Sequence, residues 1–283
     1  MTQQKILMWL TLYIQFSLIN VQTIAAQNLI HCELENFNSK QFFVAGRPAF
    51  ILLPLKSNIR NPQPWVLYAP VVQSYPNGQE TWMFEQLTKH GIAIAGVDVG
   101  ESYGNPDGQK IFDQLYDELT LNRGFAKMPC LFARSRGGLW VANWAANNPE
   151  KVAGIAGIYP AFDLRSYPGL DKAAPAYGMT TIQLNRSLSD HNPIMRASIL
   201  VDAKISVYLL HGDQDSVVPL EANSGALIQC YEKAGASNIA TLQVAKGKQH
   251  GSGPEFFRSQ RLVDFIIKCA NSRAREVKKS DLP

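Results

Sequence analysis

Three residues, a serine, an aspartate and a late histidine in that chain order, have the types and settings to do chemistry together. Ser135 stands in Ala133-Arg134-Ser135-Arg136-Gly137-Gly138, where an apolar run that reads as a strand meets a stretch that reads as a helix. Asp215 stands in His211-Gly212-Asp213-Gln214-Asp215-Ser216-Val217-Val218-Pro219, directly after another apolar run. His250 follows in Lys248-Gln249-His250-Gly251, past the last such run. A serine hydroxyl is a weak nucleophile until an imidazole takes its proton, and the imidazole must itself be held in one tautomer by a carboxylate. The assignment is therefore Ser135 as nucleophile, His250 as general base and Asp215 as the acid that orients it. Asp163, after an earlier apolar run, is the rival acid. Asp213 reads as a brace for its own turn and His211 as a partner of the acid loop. His31, His90 and His191 read as structural.

Attack on an acyl carbon also needs donors for the oxyanion that develops, each worth roughly 3–4 kcal/mol. One is expected from the backbone N–H of Arg136. The other should come from the loop after Trp65-Val66-Leu67-Tyr68-Ala69-Pro70. Pro70 has no N–H, which leaves Ala69 or Val71. Glu101, in Asp98-Val99-Gly100-Glu101-Ser102-Tyr103-Gly104, belongs to the same rim, either as a turn cap, the favoured reading, or as a substrate contact.

These residues need strands that end at one edge and helices that follow them. Continuous apolar runs occupy residues 65–70, 92–100, 130–135, 152–160, 205–212 and 240–247, as expected of parallel strands covered on both faces. Helical patterns occupy residues 79–90, 108–122, 137–148, 219–234 and 254–270, several closed by a glycine (Gly91, Gly124, Gly235). Such alternation predicts a doubly wound α/β sheet. Before it, Cys32–Phe37 and Gln41–Leu55 read as a strand pair. Residues 161–203, rich in Pro, Tyr and Ser, interrupt the alternation and read as a lid or binding insertion.

The motif around Ser135 resembles the small-x-Ser-x-Gly nucleophile elbow of the α/β-hydrolase superfamily, with Ala133 in place of the usual Gly. Residues 211–219 look like the HGxxDxxVP loop of many members, and the order Ser, Asp, His is that superfamily's order. The resemblance spans about residues 40–270. It implies an α/β-hydrolase fold with a mostly parallel sheet of about eight strands, flanking helices and a small lid. Dienelactone-hydrolase-like, acetyl-xylan-esterase-like and prolyl-oligopeptidase-like members are the nearest in pattern, and the HGGG form of the oxyanion loop is missing. The implied activity is hydrolysis of carboxylic esters through an acyl-enzyme. A serine peptidase and a non-catalytic binding protein on the same fold are the alternatives. The Ser135-Arg136 pair resembles that of glucuronoyl esterases, where the arginine helps hold the reacting carbonyl oxygen.

Composition bounds the rest. The chain has 283 residues, 46% apolar and 18% charged, with a net charge of +4. That is the composition of a globular domain, and its basic surplus lies largely in the tail Arg273, Arg275, Lys278 and Lys279. No nucleic-acid partner is expected, because that tail lacks aromatic interleaving. Lys5, the apolar run after it and small residues at Thr23-Ile24-Ala25-Ala26 read as a signal peptide over residues 1–26, leaving a single domain over 27–283 that is secreted or periplasmic. Neither a cofactor nor a metal is expected, nor a membrane once the leader is removed. The substrate class is a small-molecule or carbohydrate ester. Among Cys32, Cys130, Cys230 and Cys269, Cys130 reads as a buried thiol, and Cys230 with Cys269 as the preferred disulfide pair, each on a late helix.

Overall fold

The computed structural model describes residues 37–69, 76–251 and 253–272. One eight-stranded sheet runs in the order β1-β2-β4-β3-β5-β6-β7-β8. Its strands are β1 (Asn38–Val44), β2 (Arg47–Leu53), β3 (Trp65–Ala69), β4 (Ala93–Val97), β5 (Cys130–Arg134), β6 (Gly154–Ile158), β7 (Ser206–Gly212) and β8 (Ala240–Ala245). β1, β2 and β4 pair antiparallel, and every pairing from β4 through β3 to β8 is parallel.

β3, β4, β5 and β6 are buried along their whole lengths, which is why their sequences are unbroken apolar runs. Their side chains alternate between two cores. Trp65, Leu67, Leu131 and Ala133 face one, and Val66, Tyr68, Cys130 and Phe132 face the other. The first core is covered by α2 (Pro106–Asp117), α3 (Gly137–Asn147) and α8 (Ala226–Lys233). The second is covered by α1 (Thr81–Lys89) and α10 (Gln260–Ser272). Local chemistry sets the helix ends. Asn105 caps α2 by accepting from the Gly108 N–H at 2.8 Å, with Pro106 at the first helical position. Gly91, just beyond α1, takes the left-handed φ of 77° expected of a glycine after a helix C-terminus.

The structure departs from the sequence reading, or adds to it, in three places. Gln41–Leu55 is not one strand. It is the end of β1, a two-residue turn at Ala45-Gly46 (φ 53° and 71°), then β2. Of the partner strand expected before it, residues 32–36 lie outside the described residues. An Ala-Gly pair carries a weaker turn signal than Asn-Gly, so the hairpin was hidden in an apolar stretch. Residues 161–203, expected as an insertion, form a series of short helices, among them α4 (Leu170–Ala173), α5 (Thr181–Arg186), α6 (Leu188–His191) and α7 (Ala197–Asp202). Their Ala173, Leu184 and Leu200 join the first core. Finally, Cys230 and Cys269 are not bonded to each other. Cys230 packs on the first core and Cys269 sits in the second, so the sheet stands between them, and both are free thiols, as is buried Cys130. Cys269 lies beside Cys130 instead, where burial pushes the Cys130 thiol well up.

Candidate active site

Ser135 follows β5 immediately and sits at φ 52°, a left-handed conformation that costs a non-glycine residue about 1–2 kcal/mol. The turn is fixed from both sides. The Ser135 N–H donates to the Ile158 carbonyl at 3.0 Å, and the Ser135 carbonyl accepts from Gly138 at 3.0 Å and Ala161 at 2.8 Å. A Cβ at Gly138 would collide with the Ala161 carbonyl, so the glycine lets α3 start against the segment that follows β6. Ala133, wholly buried, pairs in register with two other small residues, Ala69 of β3 and Gly157 of β6.

The loops after β7 and β8 are held together. Gly212 has no side chain because a Cβ there would run into the Lys248 carbonyl, and that carbonyl accepts from the Gln214 N–H at 2.9 Å. Asp213, read as a brace for its own turn, instead accepts from the Gly247 N–H at 2.6 Å, across to the loop after β8. The two loops bring the three residues into one hydrogen-bonded chain. Ser135 Oγ lies 3.0 Å from His250 Nε2, and His250 Nδ1 lies 2.7 Å from Asp215 Oδ2. A carboxylate only accepts, so Nδ1 carries the proton and the Nε2 lone pair faces the serine.

Asp215 is well supplied with donors. Its Oδ1 accepts from the N–H groups of Val217 (2.9 Å) and Val218 (2.8 Å), and His211 Nε2 approaches Oδ2 at 3.3 Å. Burial alone would raise its pKa, but the bonds from His211, His250 and Val218 outweigh it and hold the carboxyl below the ordinary range. His211 is fully buried. Its Nε2 faces the Val218 carbonyl at 2.8 Å and so bears the proton, while Nδ1 meets the Ser224 hydroxyl at 2.8 Å. Asp163 is engaged elsewhere, by Asn192 Nδ2 at 2.7 Å and Arg165 Nε at 3.0 Å.

Of the expected oxyanion donors, the Arg136 N–H lies at the N-terminal cap of α3, where helix geometry supplies no internal acceptor. Ala69 is the last residue of β3, and Val71 lies outside the described residues. The Arg136 guanidinium does not stand free. It donates to Glu101 Oε1, and Tyr103 stands beside the same carboxylate. Glu101 is thus a charge partner on the rim rather than the turn cap expected.

Three residues escaped the sequence reading. Arg134 and Glu80 form a buried ion pair at 2.7 Å, with Glu80 wholly enclosed. Glu80 also accepts from the Tyr68 hydroxyl at 2.6 Å and from the Asn77 N–H at 3.1 Å, so the pair ties the segment before α1 to the strand that leads into Ser135. Burial alone would lower the Arg134 pKa, but the Glu80 carboxylate keeps the guanidinium charged. A charge inside the apolar Cys130–Arg134 run signals some buried partner, though nothing in the sequence points to Glu80. The third is Tyr159, whose ring lies against the His250 imidazole with centroids 4.1 Å apart. Among the described residues no group of three His, Cys, Asp or Glu is placed to hold a metal ion.

The order and directions of the strands, with the serine after β5, the acid after β7 and the histidine after β8, make this an α/β-hydrolase fold. No family model and no curated protein sequence matches the chain. Solved structures of the same fold do. One is the fluorophosphonate-binding serine hydrolase FphF of Staphylococcus aureus (TM-score 0.65, 13% identity, 83% of this chain and 98% of that one). Another is the esterase domain of a Rhodothermus marinus protein (TM-score 0.54, 19% identity, 85% and 99%). A dipeptidyl aminopeptidase IV-like protein of Bacteroides ovatus also matches (TM-score 0.63, 14% identity), with 84% of this chain aligned. The chain spans only 36% of that protein's length.

Removing one member of a buried ion pair strands the other. Glu80→Ala is expected to cost about 3–5 kcal/mol in denaturant unfolding, whereas the double variant Glu80→Leu/Arg134→Met should cost clearly less than the single one. A Glu80→Ala protein as stable as the unmodified one would show that Arg134 does not depend on this carboxylate.

Proposed function

We propose that the protein is a serine hydrolase that cleaves carboxylic esters through an acyl-enzyme. The observation that carries the reading is the Ser135–His250–Asp215 hydrogen-bonded chain at a strained strand-to-helix turn. His250 Nε2 takes the Ser135 proton as Oγ bonds to the acyl carbon. The tetrahedral adduct places its oxyanion near the N–H of Arg136. The leaving-group oxygen then receives the proton from Nε2 as its bond to carbon breaks. Water, deprotonated by the same nitrogen, releases the acid and restores the serine. Asp215, held ionised by its donors, favours the imidazolium formed midway. The ester reading over the peptidase one is supported by which neighbours the chain matches end to end. Those include the protein named as an esterase domain, whereas the peptidase-type neighbour extends far beyond the matched region.

Ser135→Ala is expected to abolish both ester hydrolysis and covalent labelling by a fluorophosphonate probe, and labelling that persists would remove Ser135 as the nucleophile. Asp215→Asn should lower kcat by up to ~10⁴-fold by freeing the imidazole tautomer, and Asp163→Asn by far less. The reverse ranking would move the acid to the segment after β6.

The rim pair Arg136–Glu101 bears on which esters are accepted. A guanidinium offers five donors in a fixed fork, suited to acyl groups carrying a carboxylate or several hydroxyls. We expect Arg136→Ala to raise KM or lower kcat for uronate and other polar acyl esters while sparing aryl acetates. Because Glu101 occupies that fork, Glu101→Gln should improve the handling of uronate esters. Equal losses on both ester types in Arg136→Ala would reduce the arginine to packing.

The protein is proposed to act outside the cytoplasm, on the strength of the leader-like residues 1–26, which lie outside the described residues. Mass spectrometry of the exported chain should find its first residue at Ala26 or Gln27, and an intact N-terminus would count against this route.

A further inference from the structure

A single hydrogen bond to a carboxylate fixes one atom of an imidazole but not the plane of its ring. His250 is gripped by Asp215 through Nδ1 only, and it comes from a loop with its side chain still 19% exposed. About that one bond the ring can tilt, and each tilt swings the Nε2 lone pair away from Ser135 Oγ. Something must define the plane, and the structure supplies a second surface.

Tyr159 lies one residue past β6 at φ 37°, a conformation that a bulky residue adopts only under constraint. Its N–H donates to the Leu210 carbonyl at 2.7 Å, so the strained residue is pinned by β7, the strand that also leads to the acid loop. The side chain is almost wholly buried, and its ring meets the imidazole at 4.1 Å between centroids with the planes inclined by 49°. Behind it Phe256 packs edge-on at 5.0 Å and Phe257 at 6.3 Å. The Arg134 guanidinium covers the Phe257 ring at 4.7 Å. The base therefore rests on an aromatic stack that ends at the ion pair beneath the nucleophile.

We propose that Tyr159 is a positioning residue that sets the plane of His250, so that Nε2 stays aimed at Ser135 while Asp215 fixes Nδ1. The inference rests on the Ser135–His250–Asp215 reading above. The ring, not the hydroxyl, does this work. When His250 gains the serine proton, the same π face lies beside a cation, an attraction that is weaker in the resting enzyme.

The test compares the full protein with Tyr159→Phe and Tyr159→Leu, measuring fluorophosphonate labelling rate, steady-state hydrolysis of an aryl acetate and thermal midpoint. Tyr159→Phe should keep labelling and kcat within about threefold. Tyr159→Leu should lose about 30-fold or more of both with KM little changed, the signature of a misaimed base rather than a lost binding contact. Leucine labelling at the unmodified rate, or phenylalanine falling as far as leucine, would overturn the proposal. Should the leucine variant fail to fold, the unmodified protein still decides. Its His250 ring-proton NMR signals, assigned by their loss in His250→Gln, should be displaced upfield by the tyrosine ring current, and unshifted signals would refute the contact. If the unmodified protein does not label at all, the triad reading fails first, an outcome distinct from these.

Discussion

The left-handed turn at Ser135 is the constraint on which the rest of the molecule depends. A residue with a Cβ takes φ 52° only if its surroundings leave no alternative, and here three backbone hydrogen bonds close around it. Those bonds come from β6, from the start of α3 and from the segment after β6. The strand order that puts β5 beside β6 is thus a precondition for the turn rather than its background. The same close approach demands the absence of a side chain at Gly138, and a Cβ at Gly157 would press on Pro160. Close packing and these backbone bonds together fix where the hydroxyl points.

Charge is handled differently on the two sides of the serine. Ahead of it, Arg134 is buried against Glu80 among Tyr68 and Phe257, a pair whose desolvation cancels much of its attraction and whose merit is positional. After it, Arg136 meets Glu101 at a half-open rim, where charge stays solvated and can meet a ligand. The left-handed turn at Ser135, between the end of β5 and the start of α3, therefore sends one arginine into the scaffold and the other toward the rim.

The fold was largely legible in the sequence because its central strands, β3 to β6, are buried on both faces and so are written as unbroken apolar runs. The six runs from residue 65 onward correspond to β3 through β8, and the glycines read as helix ends do take positive φ at Gly91, Gly124 and Gly235. The hairpin was not legible, since Ala45-Gly46 carries little turn chemistry. Ser135, Asp215 and His250 could be picked out because each stands at the end of such a run, and the structure brings them within hydrogen-bonding distance. Glu80 and Tyr159 could not. Glu80 matters only because the segment before α1 returns to lie over β5, and Tyr159 only because β6 and β8 end at the same edge. Such meetings are made by topology and leave no periodic trace. The disulfide expectation failed for a related reason, since shared helical character says nothing about which side of a sheet a helix covers.

The insertion after β6 has a consequence of its own. Its irregular turns are held by amide side chains buried among backbone groups. Asn192 receives the Leu164 N–H and donates to Asp163, Asn223 receives the N–H groups of Phe162 and Asp163, and Asn143 of α3 holds the His191 carbonyl. The Asn223 and Asn143 bonds must break before the segment can lift as a unit, whereas those of Asn192 lie within it and set its own shape. The insertion is accordingly fastened to the body of the domain at its start and again near its end. Moving it would leave several buried amide and carbonyl groups without partners at once.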